Sequence, residues 1–536
     1  MFLTLLSATI LLVIYFIYIS FFKTCLQYQK LGIPYVSPWK AIHNTLSVFT
    51  SSKPVIDIVK EVYNGFPDAR YFGGVNFGKP SIYLRDIDLI KKITVKDFEH
   101  FADHSNFLAI NPDEIFNKNL FSMKGAAWRE MRATLSPAFT SAKMRNMFGF
   151  MNTCAQNFVN SFVKKNEDVI EVEMKDIVTK YTSDVIASVS FGVECNSVAN
   201  PENEFYTMGT QLTNPSRNIF PKIILFAVAP ALAKMFKMTV FPTQVTDFFR
   251  QIVQETIKIR QEKNIFRPDM IHLLLEARKG ALVHENTNTS DGDTGFATVQ
   301  ESELGKQKKF MTTKLSDDDI AAQALAFFFG GFDTTASTIC FMSYELAKNP
   351  DVQGKLQQEI DVVLETSNGK VTFEVLTRMK YLDQVISESL RKWTPGLQND
   401  RLCIKDYVIE PERPNEKPYL IKKGDVVIVP TIGLHYDPQY FPNPEQFDPD
   451  RFSDENKKNI VPGSYIPFGN GPRNCIGSRF ALLEVKTLFF HLLSKFDLVF
   501  TEKTILPMKL KTVGFSMKPD GGFQIGLKRR KCLGHQ

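Results

Sequence analysis

FGNGPRNCIG, residues 468–477, places a single cysteine in a glycine-rich loop, two residues after an arginine. Glycines permit turns that other residues resist and let the backbone approach a flat ligand closely. A thiol held among backbone N–H groups and near Arg473 loses its proton readily, and a metal ligand must be in the thiolate form. An inert buried thiol is the alternative for any lone cysteine. The loop therefore predicts that Cys475 is a ligand to a metal ion.

Length and composition limit the possible classes of protein. The chain has 536 residues, more than one hydrophobic core usually holds, so we expect one large fold with a smaller lobe or two domains that share an interface. The net charge of only +6 argues against nucleic acid as a main partner. The seven cysteines are odd in number and scattered, with no Cys-x-x-Cys pair. This pattern indicates a reducing compartment rather than a disulfide framework or a zinc site.

Residues 1–22 carry no charged side chain and are rich in leucine, isoleucine, phenylalanine and tyrosine. As a helix they would be about 33 Å long, enough to cross the hydrocarbon layer of a bilayer. Lysines follow the run, and the positive-inside rule then puts the rest of the chain in the cytosol. The sequence predicts a transmembrane signal anchor at residues 1–22. It also predicts a stiff extended hinge at residues 23–40, where Pro34 and Pro38 restrict the backbone.

A long apolar helix is predicted to begin after Ser316, which can cap it, and to end before Pro350. Its middle holds GGFDTT, residues 330–335. Two glycines inside a helix cost about 1 kcal/mol each relative to alanine, so the sequence gives up helix stability here. Close helix packing is one explanation for such small residues, and a functional role for this part of the helix is the other.

Two pairs of polar side chains lie at helical spacing. Trp128 and Arg132 are four residues apart, and Glu388 and Arg391 are three apart, so each pair shares one helix face. Surface pairs of this kind are usually solvated and contribute little to stability. FDPDRF, residues 447–452, adds Arg451 as a possible third member of the second group.

Taken together, Phe-x-x-Gly-x-Arg-x-Cys-x-Gly, Trp-x-x-x-Arg, Gly-Gly-x-Asp-Thr and Glu-x-x-Arg with Arg451 resemble the motifs of the cytochrome P-450 superfamily, the haem-thiolate monooxygenases. The resemblance implies a mainly α fold with a small β-rich lobe, the cytochrome P-450 fold, preceded by an N-terminal transmembrane helix. The catalytic domain would be residues 41–536, with strands between residues 68 and 90. Cys475 would be the proximal ligand to the iron of haem b.

The same resemblance implies which side chains contact the cofactor. Trp128 and Arg132 would bind a haem propionate, and Arg401 is a further propionate partner. His104 departs from the family pattern, because related sequences often have a propionate-binding arginine there. The remaining cofactor-binding positions are Gly330, Phe468, Arg473 and Gly477.

Catalytic and structural roles are also implied by the resemblance. Thr334 would hydrogen-bond the bound oxygen, and Asp333 would help to relay protons from water. An acid beside an alcohol suits a reaction in which protons must reach the outer oxygen before the O–O bond breaks. Glu388, Arg391 and Arg451 would form an inward ion triad that braces the Cys475 loop and does no chemistry.

The expected substrate pocket rests on spacing along the long helix. Residues 326, 329 and 330 share a helix face with residue 334, although any of them could equally be core. The positions predicted to contact substrate are Phe107, Phe121, Ala326, Phe329, Leu397 and Phe515.

Three other stretches carry predictions of local structure. Residues 219–241 are apolar but interrupted by prolines and lysines, and we expect a loop that dips into a membrane surface, with a core helix as the alternative. Residues 280–314 are polar and predict a surface loop. PDGG, residues 519–522, joins two strand-like runs and predicts a hairpin.

The implied reaction transfers one atom of O₂ to an apolar small molecule, with electrons from NADPH supplied by a flavoprotein reductase. Cytochrome b5 is a second expected partner. Four basic residues could form the docking face, with a merely solvated face as the alternative: Lys124, Arg129, Lys143 and Arg145. The protein is expected in the endoplasmic reticulum membrane, single-pass, with the catalytic domain in the cytosol.

LSPAFTSAKM, residues 135–144, and the anchor resemble insect microsomal forms that oxidise foreign compounds such as insecticides and plant toxins. Oxidation of an endogenous steroid, fatty acid, pheromone or hydrocarbon stays open, since no motif separates these substrates. A haem-thiolate isomerase or dehydratase that needs no reductase is a further alternative, against which the Asp333–Thr334 pair argues. A non-catalytic haem sensor or carrier is the last alternative, and such a protein would not need a proton relay.

Overall fold

The structure is a computed structural model, and it describes residues 11, 14–76, 79–105, 115–213, 235, 238–239, 241–279, 295–299, 315–414, 416–513 and 516–531. Phe107 and Phe515 lie outside these residues. So do residues 1–10, 12 and 13 of the predicted anchor, most of residues 219–241, and all of residues 280–314 except 295–299.

Helices dominate the described chain, as predicted. In chain order they are α1 (Thr24–Leu31), α2 (Pro38–Thr50), α3 (Val55–Asn64), α4 (Ile87–Lys91), α5 (Gly125–Leu135), α6 (Ser141–Val163), α7 (Met174–Ile186), α8 (Glu204–Thr213), α9 (Thr243–Lys263), α10 (Met270–Arg278), α11 (Asp317–Lys348), α12 (Pro350–Thr366), α13 (Phe373–Thr377), α14 (Lys380–Lys392), α15 (Thr431–His435) and α16 (Ser478–Leu493). Short 3-10 and π-helical turns extend several of them.

Strands form four small sheets. They are β1 (Tyr71–Asn76), β2 (Lys79–Leu84), β3 (Val169–Glu173), β4 (Asn399–Leu402), β5 (Tyr407–Ile409), β6 (Tyr419–Ile421), β7 (Val426–Val429), β8 (Phe496–Val499), β9 (Leu510–Val513), β10 (Ser516–Pro519) and β11 (Gln524–Arg529). The largest sheet has the order β1-β2-β7-β4, with β2 and β7 parallel and the other neighbours antiparallel. This sheet is the predicted β-rich lobe, and its β4 carries Arg401.

Helix α11 is the centre of the core. Its N-terminus has a capping box, in which the Ser316 hydroxyl accepts the Asp319 N–H and the Asp319 carboxylate accepts the Ser316 N–H. The helix packs against α7, α9, α14 and α16. Within the described residues it is the one helix with the length and hydropathy of a membrane span, and 61% of its apolar window is buried inside the protein. It is therefore a core helix.

Residues 23–40 differ from the predicted extended hinge. They form α1 and the first turn of α2, and only a short stretch between these helices is extended. The hydroxyl of Tyr28 donates to the carbonyl of Ser81 at 3.1 Å, and the amide of Val36 donates to the carbonyl of Gly73 at 2.9 Å. Both contacts tie the segment to the β1–β2 hairpin. The ring of Tyr28 also packs on Gly73, in the space that a side chain at position 73 would need.

The prediction of a hairpin at residues 519–522 is wrong. The turn joins strands of different sheets, since β10 pairs with β9 whereas β11 pairs with β3 and β8. Gly521 and Gly522 both have φ of 80°, a region that favours glycine. The next amide, that of Phe523, donates to the Glu173 carboxylate at 2.7 Å. The chain is thereby drawn to β3 and away from β10.

Residues 295–299 refine the prediction for the polar stretch 280–314. Ala297 is only 5% exposed and packs in the core, whereas Phe296 is 38% exposed. The amide of Phe296 donates to the carboxylate of Asp383, near the start of α14, at 2.9 Å. Part of the stretch predicted as a surface loop is therefore docked on the protein.

The Glu388, Arg391 and Arg451 side chains meet in the interior. Two bonds of 2.7 and 2.9 Å join the Arg391 guanidinium to Glu388, and both side chains are fully buried. Arg451 Nε lies 3.6 Å from the same carboxylate. Arg391 also donates to the carbonyl oxygens of His435, Pro444 and Gln446. The pair is thus a buried, charge-assisted contact between α14 and the long connection that leads to the Cys475 loop.

Replacing Glu388 with glutamine should lower the free energy of unfolding by about 3–5 kcal/mol, because the Arg391 charge stays buried without its counter-ion. Urea denaturation followed by circular dichroism measures this change. Lys355→Ala is the control, since the ion pair of Lys355 with Asp450 is exposed on both sides. Equal midpoints for the two variants would contradict the importance of the buried pair.

Candidate active site

The Cys475 loop is held by its own backbone. The amide of Cys475 donates to the carbonyl of Phe468 at 2.8 Å, and the amide of Asn474 donates to that of Gly471 at 3.0 Å. Gly469 and Gly471 have φ of 78° and 71°. A Cβ atom on Gly471 would lie 1.9 Å from the carbonyl oxygen of Thr94. Glycine is therefore required at position 471 both by the backbone angle and by the close packing.

The sulfur of Cys475 lies just before the N-terminus of α16. Burial raises the pKa of the Cys475 thiol, whereas the amide N–H of Gly477 and the positive charge of Arg132 lower it. Arg132 is held in place by Asn474, to whose carbonyl and side-chain oxygens it donates at 2.9 and 2.6 Å. The cation that favours the thiolate is thus Arg132, on α5.

Arg473 differs from the prediction that its charge favours the thiolate. Its Nε donates to the carbonyl of Ala102 at 2.7 Å, and its Nη2 donates to Met123 and pairs with Asp103. Its guanidinium also covers the ring of Trp128, 3.8 Å from the ring centroid. Burial lowers the pKa of Arg473 to about 9. Arg473 therefore ties the loop to the chain before α5, because neighbouring carbonyl groups attract its donors.

A cavity of about 430 Å³ separates the Cys475 loop from α11. Its wall is mostly apolar. The predicted positions on this wall are Phe121, Trp128, Ala326, Gly330, Thr334, Phe468, Arg473, Cys475, Gly477 and Arg132. A second, smaller cavity of about 100 Å³ is lined by Phe329, Asp333, Thr334 and Leu397. Thr334 borders both cavities, whereas Phe329 and Leu397 border only the smaller one.

The middle of α11 faces Cys475 across the larger cavity. A Cβ atom on Gly330 would meet nothing within 4 Å, so the glycine leaves open space beside the helix. The hydroxyl of Thr334 donates to the carbonyl of Gly330 at 2.5 Å. Asp333 forms an ion pair of 2.7 Å with Lys175, which also donates to the hydroxyl of Ser337. The acid and the alcohol are adjacent in sequence, and each borders the smaller cavity.

His104 lines the larger cavity, and its partner Asp400 precedes Arg401 on β4. His104 Nδ1 lies 3.0 Å from the Asp400 carboxylate, which also accepts the Ser105 amide. Burial acts to raise the pKa of Asp400, but the hydrogen bond and charge of His104 outweigh it and hold that pKa below its usual range. Burial lowers the pKa of Arg401 to about 10, and Arg401 Nε has no partner within the described residues.

Haem is a flat macrocycle with two carboxylates, and this site offers partners for both parts. Two buried arginines, Arg132 and Arg473, line the cavity, and the buried Arg401 has an unsatisfied donor within the described residues. Buried cations require anionic partners, and arginine binds carboxylates well. The cavity has apolar walls, a cysteine on one face and a glycine-lined space on the other. The residues present fit a haem-thiolate centre.

Two side chains missed by sequence reasoning complete the site. Lys175, on α7, neutralises Asp333, and no motif joins the two positions. His435 links the buried ion pair to the cysteine loop, since its Nδ1 lies 3.1 Å from the Arg391 carbonyl and its Nε2 accepts the Ile466 amide at 3.0 Å. A histidine at the end of a short helix, before Asp437-Pro438, offered no sequence signal for this role.

The fold and site define a haem-thiolate monooxygenase, and comparison with known proteins identifies the family. The family model described as cytochrome P450 matches residues 71–525. Cytochrome P450 9e2 of Blattella germanica is 45% identical over 487 residues, which cover 88% of each chain. The probable cytochrome P450 9f2 of Drosophila melanogaster is 42% identical over 513 residues, 94% of this chain and 95% of the relative. Cytochrome P450 6k1 of Blattella germanica is 34% identical over 506 residues, 94% of this chain and 93% of the relative.

The chain belongs to the cytochrome P450 family. It resembles the insect members, and its cofactor is haem b, with electrons supplied from NADPH through a reductase. The predicted family, enzyme class and cofactor are thereby confirmed.

Gly471→Ala should release haem at least about tenfold faster than the wild type, because the added Cβ would collide with the carbonyl of Thr94 and displace the loop. Transfer of haem to excess apomyoglobin measures the rate. Gly369→Ala is a matched control, since Gly369 also has φ of 71° but nothing lies within 4 Å of its added Cβ. Similar release rates for the two variants would contradict the claim that close packing at Gly471 holds the loop.

His435 should make the protein less stable as the pH falls from 6.5 towards 3. Burial, aided by the charge of Arg391, lowers the pKa of His435 from 6.5 to about 3, so the unfolded chain binds the proton first. The loss is up to about 1.4 kcal/mol per pH unit. Urea denaturation at several pH values should give a shallower pH dependence for His435→Gln than for the wild type. Parallel curves would contradict a neutral His435 in the folded state.

Proposed function

We propose that this protein oxidises apolar foreign compounds, with haem bound between Cys475 and the Gly330–Thr334 part of α11. The observation that carries the proposal is the position of Cys475 at one wall of a mostly apolar cavity, opposite the open space beside Gly330. Haem supplies the activation of O₂ and the transfer of one oxygen atom, a chemistry that a thiolate ligand favours. The other steps depend on the side chains around it.

Three basic side chains, Arg132, Arg401 and His104, are proposed to bind the haem propionates. Arg132 and Arg401 are the strongest partners, because both are buried and Arg401 has a donor without a partner within the described residues. Trp128 is as deeply buried as Arg401, and its ring is covered by the guanidinium of Arg473. We therefore assign Trp128 and Arg473 mainly to the support of the loop. His104, at the position of the absent arginine, contributes a donor whose other nitrogen is oriented by Asp400.

Thr334 and Asp333 are proposed to control the supply of protons. The Thr334 hydroxyl can hold a proton at the boundary between the two cavities. Asp333 borders the same smaller cavity as Thr334, and its 2.7 Å ion pair with Lys175 fixes the position of the carboxylate there. Lys175 then keeps Asp333 oriented between turnovers, and the Asp333–Thr334 pair argues for an oxygen-consuming reaction rather than isomerisation.

The substrate class is inferred from the cavity wall and from the relatives. Phe121 and Ala326 border the larger cavity, and Phe329 and Leu397 border the smaller one next to Thr334. An apolar wall selects for size and hydrophobicity rather than for one polar group. Such loose selection suits foreign compounds of varied structure, and similarity to insect cytochromes P450 supports this substrate class.

Membrane attachment is proposed for residues 1–22, with residues 23–40 as the connection and residues 41–536 as the catalytic domain. Of the predicted anchor, Leu11, Ile14, Tyr15 and Tyr18 are at least half exposed, which is costly in water and favourable in lipid. The protein would lie in the endoplasmic reticulum membrane with its catalytic domain in the cytosol, where the reductase and cytochrome b5 are available.

The docking face for the reductase is proposed to include Lys124, Arg129, Lys143 and Arg145. Two of these residues already have acidic neighbours, since Arg129 pairs with Glu99 and Arg145 pairs with Glu374. These pairs are partly exposed, so an acidic partner can compete for the arginines at low cost. Binding should weaken as salt rises.

Oxidation of a panel of compounds by the purified protein with reductase and NADPH tests the function. We expect turnover of several structurally unrelated apolar foreign compounds. High activity on one endogenous steroid, fatty acid, pheromone or hydrocarbon, with none on the others, would favour the endogenous alternative. Cys475→Ala should contain no haem and no activity, and a variant that keeps haem with an unchanged spectrum would contradict the assignment of the ligand.

Thr334→Ala should bind haem normally but divert electrons from NADPH into hydrogen peroxide, because the hydroxyl no longer directs protons to the reaction. We expect the ratio of peroxide to product to rise about tenfold or more. The rate contribution of one general acid–base group is typically larger than this factor. Thr334→Ser keeps the hydroxyl and should remain coupled. Unchanged coupling in Thr334→Ala would count against the relay.

A further inference from the structure

Residues 295–299, Gly-Phe-Ala-Thr-Val, are a short docked segment inside the polar stretch between α10 and α11. The segment makes a turn, in which the amide of Thr298 donates to the carbonyl of Gly295 at 3.1 Å. Its contacts are specific rather than merely apolar. One carboxylate oxygen of Asp383 accepts the Phe296 amide, and the other lies 3.1 Å from Lys486 Nζ, on α16. A single carboxylate thus joins the segment to α14 and α16.

Glycine is needed at position 295. Its φ is 133°, a conformation that other residues rarely adopt. A Cβ atom on Gly295 would lie 2.0 Å from the carboxylate oxygen of Asp383 and 3.3 Å from Lys486 Nζ. The backbone of the segment therefore lies directly against the Asp383–Lys486 ion pair, whose lysine is fully buried, and an added side chain would push the segment away.

The ring of Phe296 continues the contact towards the cysteine loop. It lies 5.3 Å from the ring of Phe452 and 5.6 Å from that of Tyr465. Tyr465 in turn stacks on His435, 5.4 Å away at an interplanar angle of 23°, and donates to the carbonyl of Ser387. His435 accepts the amide of Ile466, the residue whose carbonyl accepts the Gly469 amide. An unbroken series of contacts leads from Phe296 to the loop that carries Cys475.

We propose that the docked segment 295–299 is a positioning element for the Cys475 loop. It rests on the proposed function, in which Cys475 is the haem ligand. The segment contacts three elements that hold the cysteine: α14 through Asp383, α16 through Lys486, and the start of the loop through Tyr465. Aromatic pairs and charge-assisted bonds of this kind each restrict the motion of their partners. Removal of the segment leaves the fold intact and loosens the loop.

The test compares two variants that undock the segment with two controls. Phe296→Ala removes the ring, and Gly295→Ala displaces the backbone by collision with Asp383. Phe296→Tyr keeps the ring and should behave as the wild type. Phe266→Ala is the matched control for loss of an exposed phenylalanine, since Phe266 is 74% exposed and contacts the ring of His272 rather than the loop.

Two measurements are made on each full-length holoprotein. The first is the rate at which the ferrous carbon monoxide adduct loses its thiolate band in urea below the unfolding transition, with circular dichroism as the check of folding. We expect loss about fivefold faster in Phe296→Ala and Gly295→Ala, as the loss of two aromatic pairs predicts. The second is hydrogen exchange, which should rise at residues 465–477 but not in α11.

Wild-type rates in both undocking variants would overturn the proposal, because the segment would then rest on the protein without effect. Exchange that rises equally in α11 would also overturn it, since that result indicates general destabilisation. A wild-type protein without a thiolate band would refute the assignment of Cys475 first, and the positioning role with it. The thiolate band of the wild-type protein therefore tests Cys475 as the haem ligand, and the rates of the variants test the positioning role.

Discussion

Backbone hydrogen bonds around Cys475 are the constraint on which the site depends. The amides of Cys475 and Asn474 donate to carbonyl groups within the loop. These two backbone groups therefore stay paired while the Cys475 side chain faces the cavity. Gly471 makes the closure possible, because the loop passes too close to the Thr94 carbonyl for any side chain. The Glu388–Arg391 pair and His435 then fix the loop to α14. Much of the interior serves to hold one sulfur atom in place.

Buried positive charge near the cavity is a second constraint on the site. Arg132, Arg401 and Arg473 are all buried, and Arg473 pairs with Asp103. A protein that buries cations loses free energy unless an anion compensates them. Haem brings two carboxylates and an iron that needs a thiolate. The two carboxylates of haem are therefore the anions that we propose for these arginines.

Local motifs could be predicted from the sequence because their members lie on one helix or one loop. Trp128 with Arg132, and Glu388 with Arg391, needed only helical spacing and the resemblance to a known family. Contacts between distant elements could not be predicted, since nothing in the spacing joins Lys175 to Asp333. The direction of Arg473 was missed for the same reason: its partners belong to residues 102–123. The 519–522 turn was misread because strand pairing depends on β3, more than 300 residues earlier in the chain.

The carbon monoxide difference spectrum of the freshly purified ferrous protein tests the central claim most directly. Thiolate ligation by Cys475 predicts the red-shifted band that distinguishes haem-thiolate proteins from all histidine-ligated ones. The band should disappear together with haem in Cys475→Ser prepared in parallel. A spectrum typical of a histidine-ligated haem in the wild-type protein, or the absence of any bound porphyrin, would contradict the account.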